Sequence, residues 1–295
     1  MGIRRQHYVP QGFLKGFAVP DRRTDKFIWV YQKLTGRRPR RLSIKSVAWE
    51  PHYYEQETEA GASDTDSLEK KLATTIDNVA PVVIRSINAK PGSVVCLSAE
   101  DQGALAFFIG LALTRVPGVR EPLRELHTRI AQGALGNIVR RDLEAKSLVE
   151  QYCVSAEAKS WVSLQGMVRL AQLISQSALQ KYWQFFVPPE GASLVTSDNP
   201  VIFGVGAEYG PVPAGPAHPL AELVVNLRRD LGLVCTPRRG GEQYAVYQMS
   251  TEEATKFNRG IVRAARRFVF AAVQSADIDQ LTKEYIGQQQ TIEIR

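Results

Sequence analysis

An imidazole, a few carboxylates and a guanidinium, far apart along the chain, are the groups that could move a proton or steady a charge. His7 lies in Arg4-Arg-Gln-His-Tyr-Val-Pro-Gln11. An ordinary imidazole pKa near 6.5 suits general acid or base work at neutral pH. Asp198 lies in Thr196-Ser-Asp-Asn-Pro200. It could orient His7 or hold a divalent metal such as magnesium or manganese, with Glu69 or Asp77 as a second carboxylate. Arg115 would neutralise charge developing on a phosphoryl oxygen, and Gln11 and Asn199 would position the substrate. That set points to hydrolysis of a phosphodiester or nucleotide by a nuclease-like mechanism. Each residue also has a plainer reading. Asp198 and Asn199 can form an Asx-turn. A histidine can be a structural hydrogen-bonding residue. Arg115 closes an apolar helix, where a cation is favoured for dipole reasons alone.

The elements that must position these groups follow from the apolar pattern. Leu194-Val195 and Val201-Ile202-Phe203 flank the polar knot and read as buried strand, with Pro200 forcing an extended bend between them. Phe13, Leu14 and Phe17 have the spacing of a short helix that docks the N-terminus on a core. Lys26–Gln32 and Arg41–Val47 read as strands joined by a turn containing Gly36. Ser63 and Asp66 suggest the start of a long helix with its stripe at Leu68, Leu72, Ile76, Val79, Val83 and Ile87, kinked at Pro81. Glu69 and Asp77 would lie about 80° apart on its flank. Ser98 and Asp101 cap a second helix that stops at Arg115-Val-Pro-Gly118, and further helices fit 121–150 and 156–182. From Trp183 the pattern turns to β. Trp183–Val187 and Leu194–Thr196 suggest a hairpin, followed by strands at Glu222–Leu227, Leu231–Thr236 and Tyr244–Gln248. A capping box, Ser250 with Glu253, opens a helix to about Ala265, and a strand at Phe268–Val273 and a terminal helix follow.

These signals predict an α+β fold. A mixed or antiparallel sheet would come from the N-terminal hairpin and the C-terminal third, around a central inserted helical bundle. The chain divides into 1–62 (motif and basic hairpin), 63–182 (helical) and 183–295 (β-rich with two helices), read as one integrated domain.

With 295 residues, 44% hydrophobic and 23% charged, the chain can bury a sizeable core. The longest apolar run, Ala104–Leu113, is roughly half a membrane span, so no membrane association is expected. No secretion signal is visible, and Cys96, Cys153 and Cys235 have neither disulfide nor metal spacing, which indicates a cytoplasmic protein with reduced thiols. The net charge of +7 favours a polyanionic partner, with nucleic acid first. Two basic clusters are candidates for the contact. One comprises Arg22, Arg23, Arg37, Arg38, Arg40 and Arg41, with Trp29, Tyr31 and Trp49 interleaved. The other is a helical stripe, Lys256, Arg259, Arg263 and Arg267.

Four segments together resemble a bacterial domain-of-unknown-function family, number four-two-three-eight. They are His7-Tyr-Val-Pro-Gln11 with Phe13, Leu14 and Phe17; Arg115-Val-Pro117; Thr196-Ser-Asp-Asn-Pro200; and Asn258 before Arg266-Arg-Phe-Val269. The resemblance covers nearly the whole chain, although Asp77 stands where relatives carry Glu and Val116 where they carry Thr. It groups Asn258 with the site residues, and its bacterial character suggests a setting in defence against mobile elements. The competing function is a non-catalytic module that binds nucleic acid or protein, its polar motifs acting as internal struts. Solvent access separates the two. An open cleft lined by His7, Arg115, Asp198 and Asn258 favours an enzyme, and a sealed, mutually bonded set favours struts.

Overall fold

The structure is a computed structural model that describes residues 5–20, 26–57, 62–159, 161–206, 209, 215–237 and 241–288. The N-terminal part contains β1 (Gln6–His7), α1 (Gln11–Leu14), β2 (Val19–Pro20), β3 (Lys26–Gln32), β4 (Arg40–Ser43), β5 (Trp49–Glu50), β6 (Gln56–Glu57) and β7 (Ser63–Asp64). A helical part follows, with α2 (Ser67–Leu72), a π-helical turn at Ala73–Asp77, α3 (Val79–Ser86), α4 (Ala99–Thr114), α5 (Pro117–Arg141), α6 (Leu143–Gln151) and α7 (Val162–Leu179). The remainder is β8 (Tyr182–Val187), β9 (Thr196–Ser197), β10 (Val201–Val205), β11 (Ala221–Arg228), β12 (Leu231–Thr236), β13 (Val246–Gln248), α8 (Thr251–Ala264), β14 (Phe268–Ala271) and α9 (Ala276–Glu284).

The fold is α+β. β1 with β5 and β6 with β7 make two separate two-stranded pairs, and the other strands form two five-stranded sheets rather than one. The first has the order β10-β11-β12-β8-β13, antiparallel except where β13 runs parallel to β8. The second joins the two ends of the chain: β14 lies between β3 and β9, and β2 and β4 flank β3. One core cluster draws on all three stretches of the sequence, including Phe13, Phe108, Trp183 and Leu233. A second core, with Tyr31, Val195, Ile261, Val269 and Leu281, lies between β14, α8 and α9.

α4 is the central helix. Ser98 Oγ accepts the Asp101 N–H at 3.0 Å, and the run from Leu105 to Thr114 is buried apart from half-buried Phe107. The capping box at α8 is present with both of its bonds, at 2.8 and 3.2 Å.

Three expectations are corrected. The hairpin between 183–187 and 194–196 does not form, because β8 pairs with β12 and β13 while β9 pairs with β14. The intervening Val195 donates its N–H to Asn258 Oδ1 at 2.9 Å and its carbonyl accepts from Asn226 Nδ2 at 2.8 Å, so side chains replace the ladder. The helix expected from Ser63 starts at Ser67, with Asp64 Oδ1 accepting the Ser67 N–H at 3.0 Å. Its irregularity lies before Pro81, at the π turn. Pro81 has no N–H for the carbonyl of Asp77, so the regular ladder cannot pass through that position. Finally, β4 ends at Ser43, and 44–46 form a short 3-10 turn.

Candidate active site

The segment Gln6-His7-Tyr8 feeds three sets of contacts. β1 pairs with β5, His7 opposite Trp49. Gln6 is buried: its Nε2 donates to the Thr65 carbonyl and its Oε1 accepts the Tyr54 N–H at 2.6 Å. The Tyr54 hydroxyl in turn donates to the His7 carbonyl at 3.0 Å. These bonds fix the backbone that carries the imidazole. Its ring is half-buried, with the Gln11 carboxamide nitrogen 3.4 Å from both ring nitrogens. Burial holds the His7 pKa below 6.5, against a hydrogen bond to the Lys45 backbone and the charge of Asp77; nearby Arg5 lowers it further. His7 is therefore neutral at pH 7, the form that accepts a proton.

The π turn delivers the carboxylate. Such turns are frequent at functional positions because they re-aim a side chain without ending the helix. Asp77, its last residue, is 20% exposed, while Arg115 at the end of α4 is fully buried. Arg115 Nη1 donates to both Asp77 oxygens, at 2.8 and 3.1 Å. Burial opposes the charge on Arg115, but Asp77 and Tyr54 outweigh it and raise its pKa. Nε and Nη2 of Arg115 have no hydrogen-bond partner among the described residues. An unmet buried donor costs about 1–3 kcal/mol, so it is the contact with Asp77, together with Tyr54, that makes this buried cation tenable. Gly12 lets α1 lie against the turn: a Cβ there would meet Pro81 Cγ at 2.8 Å and the Asp77 carbonyl at 3.0 Å. Glu69, one helical segment earlier, interacts with Gln6 and the His7 backbone. Burial pushes its carboxyl up, and its Oε2 is buried with no hydrogen-bond partner among the described residues.

Asp198 belongs to a different constellation. It is 2% exposed, and its oxygens accept the backbone N–H groups of Arg266 and Arg267 at 2.8 and 2.7 Å. Burial pushes its carboxyl up while those N–H groups pull it down. The carboxylate thus staples the bend to the turn between α8 and β14. Asn199 Nδ2 donates to the Ala264 carbonyl at 3.2 Å, and Asn258 ties α8 to Ser193 and Val195 at 3.0 and 2.9 Å. The start of the chain does reach this bend, but through Tyr8, whose hydroxyl accepts from Arg267 Nη2 at 3.3 Å. The divalent site expected from Asp198, Glu69 and Asp77 does not assemble. Both Asp198 oxygens are taken by backbone, and among the described residues no three His, Cys, Asp or Glu side chains are grouped to hold a metal ion.

His7 is paired with Gln11 and Asp77 with Arg115; the two pairs lie near enough for the Asp77 charge to act on the imidazole, with no hydrogen bond joining them among the described residues, and Glu69 borders the same segment, while Asp198, Asn199 and Asn258 are not part of that group. Sequence reasoning missed Gln6, Tyr8 and Tyr54. The two-residue alternation across Gln6, His7 and Tyr8 was the available signal.

The basic surface is also redistributed. Arg37, Arg38, Arg40, Arg41 and Lys45 are exposed, and Arg5 stacks 4.7 Å from the Trp49 ring. Arg259 and Arg263 are exposed on α8. Arg267 leaves the expected stripe because α8 ends at Ala264 and its side chain turns to Glu50, 2.9 Å away. Lys33 is also turned inward, donating to the carbonyls of Arg263 and Ala265 at the end of α8, at 2.6 and 2.7 Å. Arg22 and Arg23 lie outside the described residues.

The family described as a protein of unknown function, DUF4238, matches residues 5–275. The chain belongs to that family. No curated protein and no solved structure matches it. Within this DUF4238 chain, residues 5–275 take in the imidazole cluster, the Asp198 staple and Asn258 alike. Among the described residues, no single helix is long and apolar enough to cross a membrane.

Proposed function

We propose that the protein is a nuclease-like hydrolase of nucleic-acid phosphodiesters, with His7 as general base. The observation that carries this reading is a half-buried imidazole, held by Gln11, that lies within electrostatic reach of a carboxylate pinned by a buried guanidinium. His7 takes a proton from the attacking water as the water oxygen bonds to phosphorus. The bond from phosphorus to the leaving oxygen breaks, and Glu69, whose carboxyl is pushed up by burial, supplies that oxygen with a proton. Asp77 steadies the imidazolium that forms, and Gln11 holds the ring. Arg115 acts through Asp77 and is a positioning residue. The exposed arginines of the β3–β4 hairpin and Arg5 would track the phosphate backbone.

A second reading, a binding module without catalysis, is favoured by Arg115, Asp198 and Asn258, which are buried and bonded in the manner of struts. Free Cys96, Cys153 and Cys235 suit the cytoplasmic setting we assign to either role. End-labelled RNA and DNA incubated with magnesium, with manganese and with chelator separate the two. Cleavage by the wild type that is lost in folded His7→Ala supports the hydrolase. Binding without cleavage under every condition supports the module.

A further inference from the structure

Trp49 is a large ring that the core leaves out. Of the three aromatics interleaved with the N-terminal arginines, Tyr31 is buried, its hydroxyl accepting the Ser275 N–H at 2.8 Å, and Trp29 packs on the second core. Trp49 is half-buried and, among the described residues, packs against none of the core clusters. The smaller Val47 and Ala48 just before it are in the core instead. Ala48 turns the chain at φ 52°, in the left-handed region that residues with a Cβ adopt rarely and often at functional positions. Its carbonyl accepts the Tyr8 N–H at 3.0 Å, which locks that turn to the segment carrying His7. Trp49 then lies directly across the β1–β5 pair from His7, so the two side chains project from one face with their Cβ atoms about 5 Å apart. Exposed Arg5 reaches the same face. Its guanidinium carbon is 4.7 Å from the centre of the Trp49 ring, and its charge acts on the imidazole. Gln6 and Glu50 form the neighbouring cross-strand pair and face the other way, toward Tyr54 and Arg267.

We infer that Trp49 is a stacking platform for the nucleobase beside the phosphate at His7, and that the substrate is therefore single-stranded nucleic acid. This rests on the phosphodiester reading above and adds to it the form of the strand. In a duplex each base is already stacked on both faces, and freeing one costs its stacking and pairing. A single strand offers a base face to an indole without that cost. A guanidinium on an exposed ring is held more weakly than a stacked base, so the base takes the Trp49 ring and Arg5 passes to the phosphate. Stacking reads neither the base edge nor the sugar, so RNA and DNA strands both fit, with little preference for sequence.

Binding of oligonucleotides about 12 nucleotides long to the full chain carrying His7→Gln, which removes the base, tests this. Single-stranded RNA and DNA of one sequence should each quench tryptophan fluorescence and bind at least about tenfold more tightly than the duplex. Adding Trp49→Phe should abolish the quench and keep most of the affinity, because a stacking ring remains. Trp49→Leu keeps an apolar side chain without a π face, so single strands should bind about tenfold more weakly, with salt dependence and melting temperature unchanged. Arg5→Ala should instead flatten the salt dependence. Duplex bound as tightly as single strand, or single strands bound by Trp49→Leu as well as by its parent, overturns the inference. The platform and the hydrolase fail separately. Stacked binding with no cleavage by the wild type removes the hydrolase and keeps the platform. Cleavage of single and double strands alike, unaffected by Trp49→Leu, removes the platform and keeps the hydrolase.

Discussion

Arg115 holds Asp77 through a single nitrogen, Nη1, which reaches both carboxylate oxygens at 2.8 and 3.1 Å. The pair is asymmetric: the cation is sealed in the core and the carboxylate is partly exposed. Removing the guanidinium therefore frees Asp77 without stranding a fully buried charge. Arg115→Met should cost about 1–3 kcal/mol in a urea titration and should lower kcat more than it raises KM. Equal stability in variant and wild type would mean that the contact does no anchoring.

Gly12 sets the distance between the imidazole segment and the carboxylate. Gly12→Ala places a methyl group within 3.0 Å of both Pro81 and the Asp77 carbonyl, so α1 must move. Overpacking of this kind costs about 1–3 kcal/mol, and activity should fall because His7 and Gln11 move with α1. A melting curve and a cleavage assay, both unchanged from wild type, would contradict this placement.

The pH dependence follows from burial of His7, which holds its pKa below 6.5 in the folded protein. As pH falls, the unfolded chain takes up that proton first. Stability due to neutral His7 is therefore complete above about pH 6.5 and is lost as pH falls through the folded value. kcat/KM should show an acid limb whose midpoint lies below 6.5 and which disappears from the residual rate of His7→Gln. A midpoint above 6.5 would rule out this imidazole as the base.

The exposed hairpin arginines make a separate prediction about binding. Arg40→Glu with Arg41→Glu should weaken nucleic-acid affinity and flatten its salt dependence, by about 0.9 in log–log slope for each phosphate that is no longer neutralised. Fluorescence anisotropy at several salt concentrations measures both. An unaltered slope would move the binding surface away from β4.

The legibility of these features in the sequence followed the range of the interactions. β3, β12 and the capped starts of α4 and α8 were readable because alternation and capping act over a few residues. The pairing of β14 with both β3 and β9 was not readable, since it joins positions far apart in the chain, over 200 residues for β3, by backbone bonds that carry no side-chain signature. The site divided in the same way. His7 and Asp198 stood out by type, but type alone could not tell a half-buried imidazole held by Gln11 from a carboxylate consumed by two backbone N–H groups. The π turn that aims Asp77 depends on Pro81 and on α1 packing against it, and only the assembled chain reveals that contact.

The most direct test compares Asp77→Asn with Asp198→Asn by cleavage rate and melting temperature in parallel. Asp77→Asn should lose about 100-fold or more in kcat with a modest drop in melting temperature. Asp198→Asn leaves one buried backbone N–H without its charged acceptor, so it should lose about 1–3 kcal/mol of stability while keeping kcat within about threefold of wild type below its melting temperature. The opposite pattern, with activity abolished by Asp198→Asn in a fully folded protein and retained by Asp77→Asn, would contradict a reacting centre at His7 and Asp77.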